Sequence, residues 1–538
     1  AALNIAMDMI HDKQIDEKTA ILRIAPEQLG QLLFPILDPE EEAKTEPIAK
    51  GLPAGPGGAV GQIVFTQEDA VRWAADGKKV ILVREETSPE DIEGMRAANG
   101  LLTARGGMTS HAALVTRGWG KCCIVGAGGL EIDPFEKKMS IDGRIFKEGN
   151  VITLNGTLGL VYSGELPMMD STKNPRLQEF MSLVDKYRRL GVRANAETPE
   201  DAKTALDFGA EGIGLFRTEH MFYGEDSDEP LFLLRKMIMS TTRTERRSAL
   251  EELKPFMKAD VKSVLEIMDG RPVTIRLLDP PLHEFVPKSK IGQERLALAL
   301  DIQIEEVKKR GEALQESNPM LGHRGARLGL TDPEIYKMQV IAILEAAADL
   351  MKDKKDVEIE IMIPVTIGSS ELAGMKLIVD ETYEEVKNQQ GFDIDYLYGT
   401  MIETPRACMR AGDMAETAEF FSFGTNDLSQ MGFGFSRDDI DSFLPTYLDN
   451  HILKNDPFVS IDKRGIGQLM EIAIERGRKT RPDIKLGICG EHGGEARSVE
   501  FFHSIGLDYV SCSPYRLPIA RLAAAQAAIK EERGIPYL

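Results

Sequence analysis

The sequence has few cysteines, few aromatic residues and no long apolar run, and each shortage argues against a class of protein. Only five of the 538 residues are cysteine, and no Cys-x-x-Cys pair occurs, which argues against a disulfide framework or a structural zinc site. A reducing compartment is expected, either the cytoplasm or an organelle such as a plastid. No stretch approaches the ~20 apolar residues that span a bilayer.

Positive charge is also scarce. The 65 lysines and arginines are outnumbered by 86 aspartates and glutamates, the net charge is −21, and no lysine/arginine-rich block occurs. Nucleic acid and anionic membrane surfaces are therefore not expected as partners. An acidic protein that handles anionic substrates must gather its arginines locally, so individual arginines matter here.

The length predicts two or three domains, each able to bury its own core. The chain starts at Ala1 without a methionine, as expected of a processed or truncated product. Composition and periodicity predict four segments: a helical remnant and charged linker (1–49), a small sheet-rich domain (50–165), a helical connector (166–190) and a repeating strand-loop-helix region (191–538).

The last region predicts a (β/α)₈ barrel within an α/β protein. Its eight predicted strands are 192–197, 212–218, 273–279, 321–324, 359–365, 396–403, 420–426 and 485–490, and 508–512 is a ninth candidate. An open, doubly wound sheet is the alternative.

A strand, a glycine turn and a helix start are predicted around His111. Two glycines follow the apolar run 100–104, and Thr109 and Ser110 supply hydroxyls that cap helices. An imidazole at a helix N-terminus meets free N–H groups that favour an anion, which suits a phosphoryl carrier. A capped core histidine is the alternative.

Three arginines lie at predicted strand ends, where barrel enzymes place catalysis: Arg217, Arg276 and Arg324. Arginines in apolar strands require anionic partners. One or two of them could pair structurally with Glu197, Glu219 or Asp279. Together they favour a clamp for a phosphate and a carboxylate, because guanidinium forks bind both bidentately.

Acidic and thiol side chains end the later predicted strands. Glu403 ends the sixth, Asp427 follows the seventh and Cys489 ends the eighth. Two neighbouring carboxylates fit Mg²⁺, although either could be a helix cap. Asn426 would offer an uncharged donor. Cys489 is a candidate proton donor or a small buried apolar residue.

The run Gly106-Gly107-Met108-Thr109-Ser110-His111-Ala112-Ala113 resembles the phosphohistidine motif of phosphoenolpyruvate (PEP)-utilising enzymes. This family includes pyruvate phosphate dikinase, PEP synthase and enzyme I of the sugar phosphotransferase system. The run 117–123 is most similar to the dikinases, and the likeness extends over nearly the whole chain. It implies a swivelling phosphohistidine domain followed by a TIM barrel, without the N-terminal ATP-grasp domain of dikinases.

The resemblance also implies roles for individual residues. His111 would carry the phosphoryl group between PEP and pyruvate, and Cys489 would protonate the enolate. Glu403 and Asp427 would hold Mg²⁺, with K⁺ or NH₄⁺ as a further cation. The implied substrate-binding residues are Arg217, Arg276, Arg324, Glu403, Gly424, Thr425, Asn426 and Asp427.

Regulation and partners are implied in the same way. Thr109 resembles a regulatory phosphothreonine, with a structural cap as the alternative. A homodimer through the barrel is implied, and ATP and phosphate would act only through the missing N-terminal domain. His111 and the barrel lie in different domains, so 38–49 and 166–190 are the candidate hinges.

Three other functions remain open. The first is an enzyme I-like or PEP synthase-like phosphotransferase. The second is a metal-dependent aldolase or lyase barrel in which His111 is incidental. A non-enzymatic scaffold is the third, and it would leave the set of arginines, carboxylates and cysteine unexplained.

Overall fold

The computed structural model describes residues 2–30, 35–87, 91–107, 112, 116, 121–141, 143–169, 175–222, 228–240, 242–287, 290–316, 318, 321–437 and 439–537. Thr109 and His111 lie outside these described residues. The chain divides into two compact units, Ala1–Ser182 and Leu183–Leu538. Within the described ranges, no helix has both the length and the apolar character needed to cross a membrane.

Short helices begin the first unit, as predicted for the first 37 residues. Its helices are α1 (Ala2–His11), α2 (Glu17–Arg23), α3 (Pro26–Gly30), α4 (Pro39–Lys44), α5 (Gln67–Ala75) and α6 (Ile92–Ala97), and the boundary between the units falls within α7 (Pro175–Asp185). Asp16 caps α2 by accepting a hydrogen bond from the Thr19 amide at 2.7 Å.

The charged segment 38–49, predicted as a linker, is partly helical. Asp38 caps α4 and Pro39 occupies its first turn, a combination that starts helices. The carboxylate of Glu42 then accepts hydrogen bonds from the Tyr162 hydroxyl at 2.8 Å and the Asn155 amide at 2.6 Å. The segment is therefore anchored to the sheet of its own unit.

An eight-stranded mixed sheet forms the body of the first unit, in the order β2-β12-β11-β4-β5-β6-β7-β3. Strands β4 to β7 are mutually parallel. The strands of this unit are β1 (Ile36–Leu37), β2 (Ala49–Lys50), β3 (Leu52–Gly55), β4 (Gly58–Val64), β5 (Val80–Arg84), β6 (Gly100–Thr103), β7 (Cys122–Val125), β8 (Leu130–Asp133), β9 (Lys138–Ile141), β10 (Arg144–Lys147), β11 (Val151–Asn155), β12 (Leu160–Ser163) and β13 (Met168–Met169). Apolar clusters pack on both faces of the sheet.

The described residues beside His111 agree with the predicted local structure. Strand β6 precedes Gly106, whose φ of +102° suits glycine in a tight turn. Ala112 is helical and buried, and the Thr116 hydroxyl donates to its carbonyl at 2.5 Å.

A closed barrel of eight parallel strands forms the second unit, in the order β14-β15-β16-β17-β18-β19-β20-β21. The strands are β14 (Gly191–Ala196), β15 (Ile213–Arg217), β16 (Pro272–Arg276), β17 (Glu358–Ile363), β18 (Tyr396–Ile402), β19 (Phe420–Phe423), β20 (Lys485–Ile488) and β21 (Tyr509–Cys512). Closure confirms the predicted (β/α)₈ architecture over the open sheet.

Helices connect successive barrel strands. They are α8 (Pro199–Asp207), α9 (Asp228–Met239), α10 (Arg243–Ile267), α11 (Lys290–Ala299), α12 (Ile304–Leu314), α13 (Ala326–Thr331), α14 (Pro333–Lys352), α15 (Ser369–Gln390), α16 (Pro405–Met414), α17 (Thr425–Phe433), α18 (Leu444–Asp449), α19 (Ile466–Thr480), α20 (Ala496–Ser504) and α21 (Leu517–Arg533).

The predicted strand at 321–324 is wrong, because this stretch is a turn that precedes α13. A barrel strand is buried on both faces, whereas Leu321 is 61% exposed and Gly325 has a φ of +56°. The ninth candidate, β21, instead closes the barrel against β14 and β20. Glu403, Asp427 and Cys489 consequently follow the fifth, sixth and seventh barrel strands, rather than the sixth, seventh and eighth.

A buried ionic network crosses the barrel interior. Arg193 on β14 donates to Glu360 on β17 at 2.8 Å, and Lys485 on β20 donates to the same carboxylate at 2.7 Å. The Thr274 hydroxyl donates to it at 2.5 Å. The Glu360 carboxylate thus links β17 to side chains from three other strands, and its loss would leave the buried Arg193 guanidinium without an ionic partner.

Candidate active site

Two of the predicted arginines are buried against shared carboxylates at one end of the barrel. Arg276, the last residue of β16, pairs with Glu219 and lies 3.0 Å from the Asp279 carboxylate. Arg324 forms a fork on Asp279 through its Nε at 3.0 Å and its Nη2 at 2.5 Å. Asp279 therefore bridges the two guanidinium groups.

Burial works against the charge on Arg276, but the neighbouring carboxylates outweigh it and raise the pKa of its guanidinium. Burial likewise works to raise the pKa of Asp279, yet the charges of Arg276 and Arg324 lower it overall. The charged forms of both Arg276 and Asp279 are thus stabilised in this cluster.

Arg217 lies on the neighbouring strand end and keeps partial access to solvent. It pairs with Glu197, whose Oε1 also lies 2.8 Å from His220 Nε2. Burial works to raise the pKa of Glu197, whereas His220 and Arg217 lower it overall. The half-buried Arg217 is therefore the most accessible of the three cationic side chains to an incoming anion.

Glu403 and Asp427 belong to the same cluster of charged side chains. Asp427 Oδ2 lies 3.1 Å from Arg324 Nη2, and Glu403 Oε1 accepts the Val365 amide at 2.6 Å. Neither carboxylate acts as a helix N-cap: Thr404 caps α16, and Asp427 is the third residue of α17. The cap alternative is thereby removed for both residues.

The electrostatics of this pair indicate a shortage of positive charge. Burial, followed by the charges of Asp427 and Asp279, raises the pKa of Glu403 to about 8. Burial also raises the pKa of Asp427, against the opposing charge of Arg324. A cation placed beside both carboxylates would stabilise their ionised forms.

This donor set fits Mg²⁺. Within the described residues, no group of three or more His, Cys, Asp or Glu side chains forms a complete metal cage. Mg²⁺ commonly takes one or two protein carboxylates and completes its octahedron with water and substrate oxygens. Glu403 and Asp427 are the residues that would hold it.

Gly424 and two polar side chains shape the start of α17, the helix that carries Asp427. A Cβ on Gly424 would lie 2.6 Å from Glu403 Oε2, so the absence of a side chain lets backbone and carboxylate approach. The Thr425 hydroxyl is 2.7 Å from His492 Nδ1, and Asn426 Oδ1 accepts the Glu491 amide at 3.2 Å. Thr425 consequently anchors the first turn of α17 to His492.

Cys489 directly follows β20 and is buried among apolar residues of the barrel interior. Its thiol lies 3.9 Å from the Phe423 carbonyl. Burial raises the pKa of Cys489 to about 11, and the charge of Glu403 acts in the same direction. The group therefore keeps its proton at neutral pH and can act as an acid rather than a thiolate nucleophile.

A cavity of about 890 Å³ opens beside Arg324 and Asp427, lined further by Glu284, Met431 and Phe435. The structure brings together the nine predicted barrel residues. Arg276, Arg324, Glu403, Asp427, Cys489 and Arg217 are linked by direct contacts or by the effects of their charges on one another's pKa values. Gly424, Thr425 and Asn426 directly precede Asp427, at the start of α17.

Two residues beside the site were missed by the sequence analysis. The Val365 amide donates to Glu403, and Val365 has a φ of +53°. Arg437 Nη2 donates to both carboxylate oxygens of Glu491, at 2.7 and 2.8 Å. Neither residue has a local pattern that marks it. Only the positions of the neighbouring strands bring them to the site.

Comparison with known proteins agrees with this geometry. The PEP-binding domain of PEP-utilising enzymes matches residues 171–529, and the mobile domain of PEP-utilising enzymes matches 76–159, which include His111. The chain is similar to pyruvate, phosphate dikinase 2 of Oryza sativa subsp. japonica, with 52% identity over 98% of the chain and 60% of the relative. Pyruvate, phosphate dikinase of Clostridium symbiosum is 50% identical over 99% of the chain and 61% of its own length. The chain spans about 60% of the length of these curated relatives.

Proposed function

Because the chain belongs to the PEP-utilising enzymes, we propose that it interconverts PEP and pyruvate by phosphoryl transfer to and from His111. It would supply the PEP/pyruvate half reaction of a pyruvate phosphate dikinase. The main support for this proposal is that four charged side chains lie together at one barrel mouth: Arg276, Arg324, Glu403 and Asp427. This arrangement suits a substrate with both a phosphate and a carboxylate.

The chain's own residues account for the transfer. His111 attacks phosphorus, so that an N–P bond forms while the P–O bond to the enol oxygen breaks. Arg217, Arg276 and Arg324 stabilise the negative charge on the phosphoryl and carboxylate oxygens. The enolate becomes pyruvate when the Cys489 thiol gives its proton to the methylene carbon, and the thiolate is later reprotonated by water.

Mg²⁺ is proposed as the metal, held by Glu403 and Asp427. When bound, it supplies positive charge beside the phosphoryl and enolate oxygens. The buried position of Glu403 and the raised pKa of its carboxyl support this assignment. A monovalent cation such as K⁺ or NH₄⁺ is proposed from family resemblance alone.

An enzyme I-like or PEP synthase-like phosphotransferase is the alternative within the family. Relatives named pyruvate, phosphate dikinase, at 50–52% identity over nearly the whole chain, favour the dikinase over both. We also propose a homodimer through the barrel, to be checked by sedimentation. A reducing compartment, cytoplasm or plastid, is proposed because only five of the 538 residues are cysteine and no Cys-x-x-Cys pair occurs.

Thr109 is proposed as a regulatory site. A phosphate on Thr109 would place about two negative charges close to the imidazole that must accept another phosphoryl group. Phosphomimetic Thr109→Glu is expected to slow labelling of His111, whereas Thr109→Ser retains it. Equal labelling rates in both variants would contradict this role.

Radiolabelled PEP tests the proposed function directly. The full 538-residue chain with Mg²⁺ is expected to acquire an acid-labile, base-stable phosphate and to release pyruvate. His111→Asn should abolish the label, while the matched variant His11→Asn, at an exposed histidine of the same unit, should retain it. Labelling of His111→Asn at the unaltered rate would refute the assignment.

A further inference from the structure

A second cavity, of about 660 Å³, lies outside the barrel mouth. Its charged and polar lining comprises His451, Lys454, Asn455, Ser460, Asp462, Lys463, Arg464 and Arg497. Four of these side chains are cationic, in a chain whose net charge is −21. Such a local excess of positive charge focuses the field and attracts anions.

The two carboxylates beside this cavity are already used by the backbone. Asp462 accepts the amides of Gly465 at 2.9 Å and Ile466 at 3.4 Å at the start of α19. Glu495 accepts the amides of Arg497 at 3.1 Å and Ser498 at 2.8 Å at the start of α20. Glu495 is therefore the N-cap of α20, and Asp462 is engaged by backbone amides at the start of α19.

Three of the cations consequently lack an acidic partner. Among the described residues, Lys454, Arg464 and Arg497 form no ion pair with a carboxylate. All three are exposed to solvent at the cavity. An anion is the group that would neutralise them together.

Apolar walls complete the cavity. Phe433, Leu453, Pro457 and Ile461 line it, so the site offers a surface for carbon atoms as well as charges for phosphate. A volume of this size suits a small organic molecule. The three exposed cations favour a ligand with more than one phosphate group.

Helix α17 connects this cavity to the proposed active site. The helix begins beside Asp427 at the barrel mouth and ends at Phe433, which lines the basic cavity. Phe433 stacks on Phe435, which lines the mouth cavity, with ring centroids 5.3 Å apart. A ligand that shifts Phe433 would therefore act on both Phe435 and α17.

We propose that the basic cavity is an effector site for a small organic molecule bearing two phosphate groups. Its occupancy alters substrate binding at the barrel mouth through α17 and the Phe433–Phe435 pair. The site goes beyond the proposed reaction, and its binding test does not require turnover.

Calorimetry with the full chain tests the binding step, with ADP and fructose 1,6-bisphosphate as separate probes. At least one probe is expected to bind saturably, and more weakly at high salt. The variant K454Q/R464Q/R497Q should weaken that binding at least tenfold. The control K308Q/K309Q/K479Q, which neutralises three exposed lysines away from both cavities, should leave it within twofold.

A variant at the barrel mouth distinguishes binding in the basic cavity from binding in the proposed active site. Arg276→Gln is expected to retain probe binding, because Arg276 does not line the basic cavity. Saturating probe should change the Kd for oxalate at the barrel mouth at least twofold. Saturating oxalate should change the Kd for the probe by the same factor. The proposal is overturned if neither probe binds, if Arg276→Gln alone removes the binding, or if oxalate affinity does not respond.

Discussion

Arg324 and Asp427 meet at 3.1 Å, between Nη2 and Oδ2, although one follows the third barrel strand and the other follows the sixth. The same guanidinium also forms a fork on Asp279. A substrate phosphate or carboxylate that binds Arg324 must therefore compete with, or displace, the contact to Asp427. Binding of a cation to Asp427 would release the guanidinium for that purpose.

Arg324→Lys should keep the positive charge but lose the bidentate geometry of the guanidinium group. One charge-assisted hydrogen bond contributes about 1.5–3 kcal/mol, so we expect the second-order rate of His111 labelling by PEP to fall about tenfold to a hundredfold. The control is Arg410→Lys, at an exposed helix pair with Asp413. A rate for Arg324→Lys equal to that of the control would contradict the clamp.

Glu403→Gln should abolish the response to Mg²⁺ while leaving the fold intact. The amide keeps the acceptor for the Val365 amide but removes the charge that a metal requires. Oxalate affinity in the presence of Mg²⁺ is expected to fall more than tenfold, with little change in Tm of the metal-free protein. Glu358→Gln, at the opposite end of β17, should behave as the unaltered chain.

Cys489→Ala should affect protonation more than phosphoryl transfer. Since the pKa of the thiol is about 11, it is the protonated form that is lost. Exchange of pyruvate methyl protons with deuterium should slow about a hundredfold to ten-thousandfold, the usual contribution of a positioned acid or base. Labelling of His111 by PEP should fall less, and Cys512→Ala should leave both rates intact. Equal effects of the two alanine variants would remove Cys489 from the mechanism.

Glu360→Gln should expose the contribution of the buried network to stability. Burial works to raise the pKa of Glu360, but Arg193 and Lys485 lower it below its ordinary 4.5. A lowered folded-state pKa stabilises the protein fully above that ordinary value, and the contribution is lost as pH falls through the folded-state pKa. We expect the variant to lower the free energy of unfolding of the barrel by about 3–5 kcal/mol at pH 7.

Denaturant unfolding between pH 3 and pH 7 tests whether the stabilisation by Glu360 is lost at low pH. The difference between the unaltered chain and Glu360→Gln should narrow as the pH falls below about 4.5. Glu385→Gln, which removes an exposed pair with Lys337, is expected to change stability by at most about 1 kcal/mol. A constant difference across the pH range would show that the Glu360 charge is not responsible.

Local pattern was sufficient to predict most of the barrel strands. Seven of the eight predicted strands exist, because each is an apolar run bounded by turn residues. The exception at 321–324 shows the limit of that signal: a leucine next to a glycine and a cation resembles a strand end, but no partner strand lies beside it. The local pattern of 38–49 likewise did not predict its contacts with the sheet, since the anchoring of Glu42 depends on residues more than a hundred positions away.

By itself, the sequence determined the repeating strand-loop-helix order, the chemical types at the strand ends and the glycine-rich setting of His111, because these depend on neighbours in the chain. Only the tertiary structure decided that β21 closes the barrel, that Asp279 bridges two arginines and that Glu403 is buried beside Asp427. Closure and burial bring together side chains from distant strands. Their charges and pKa values follow from that proximity, which local sequence does not contain.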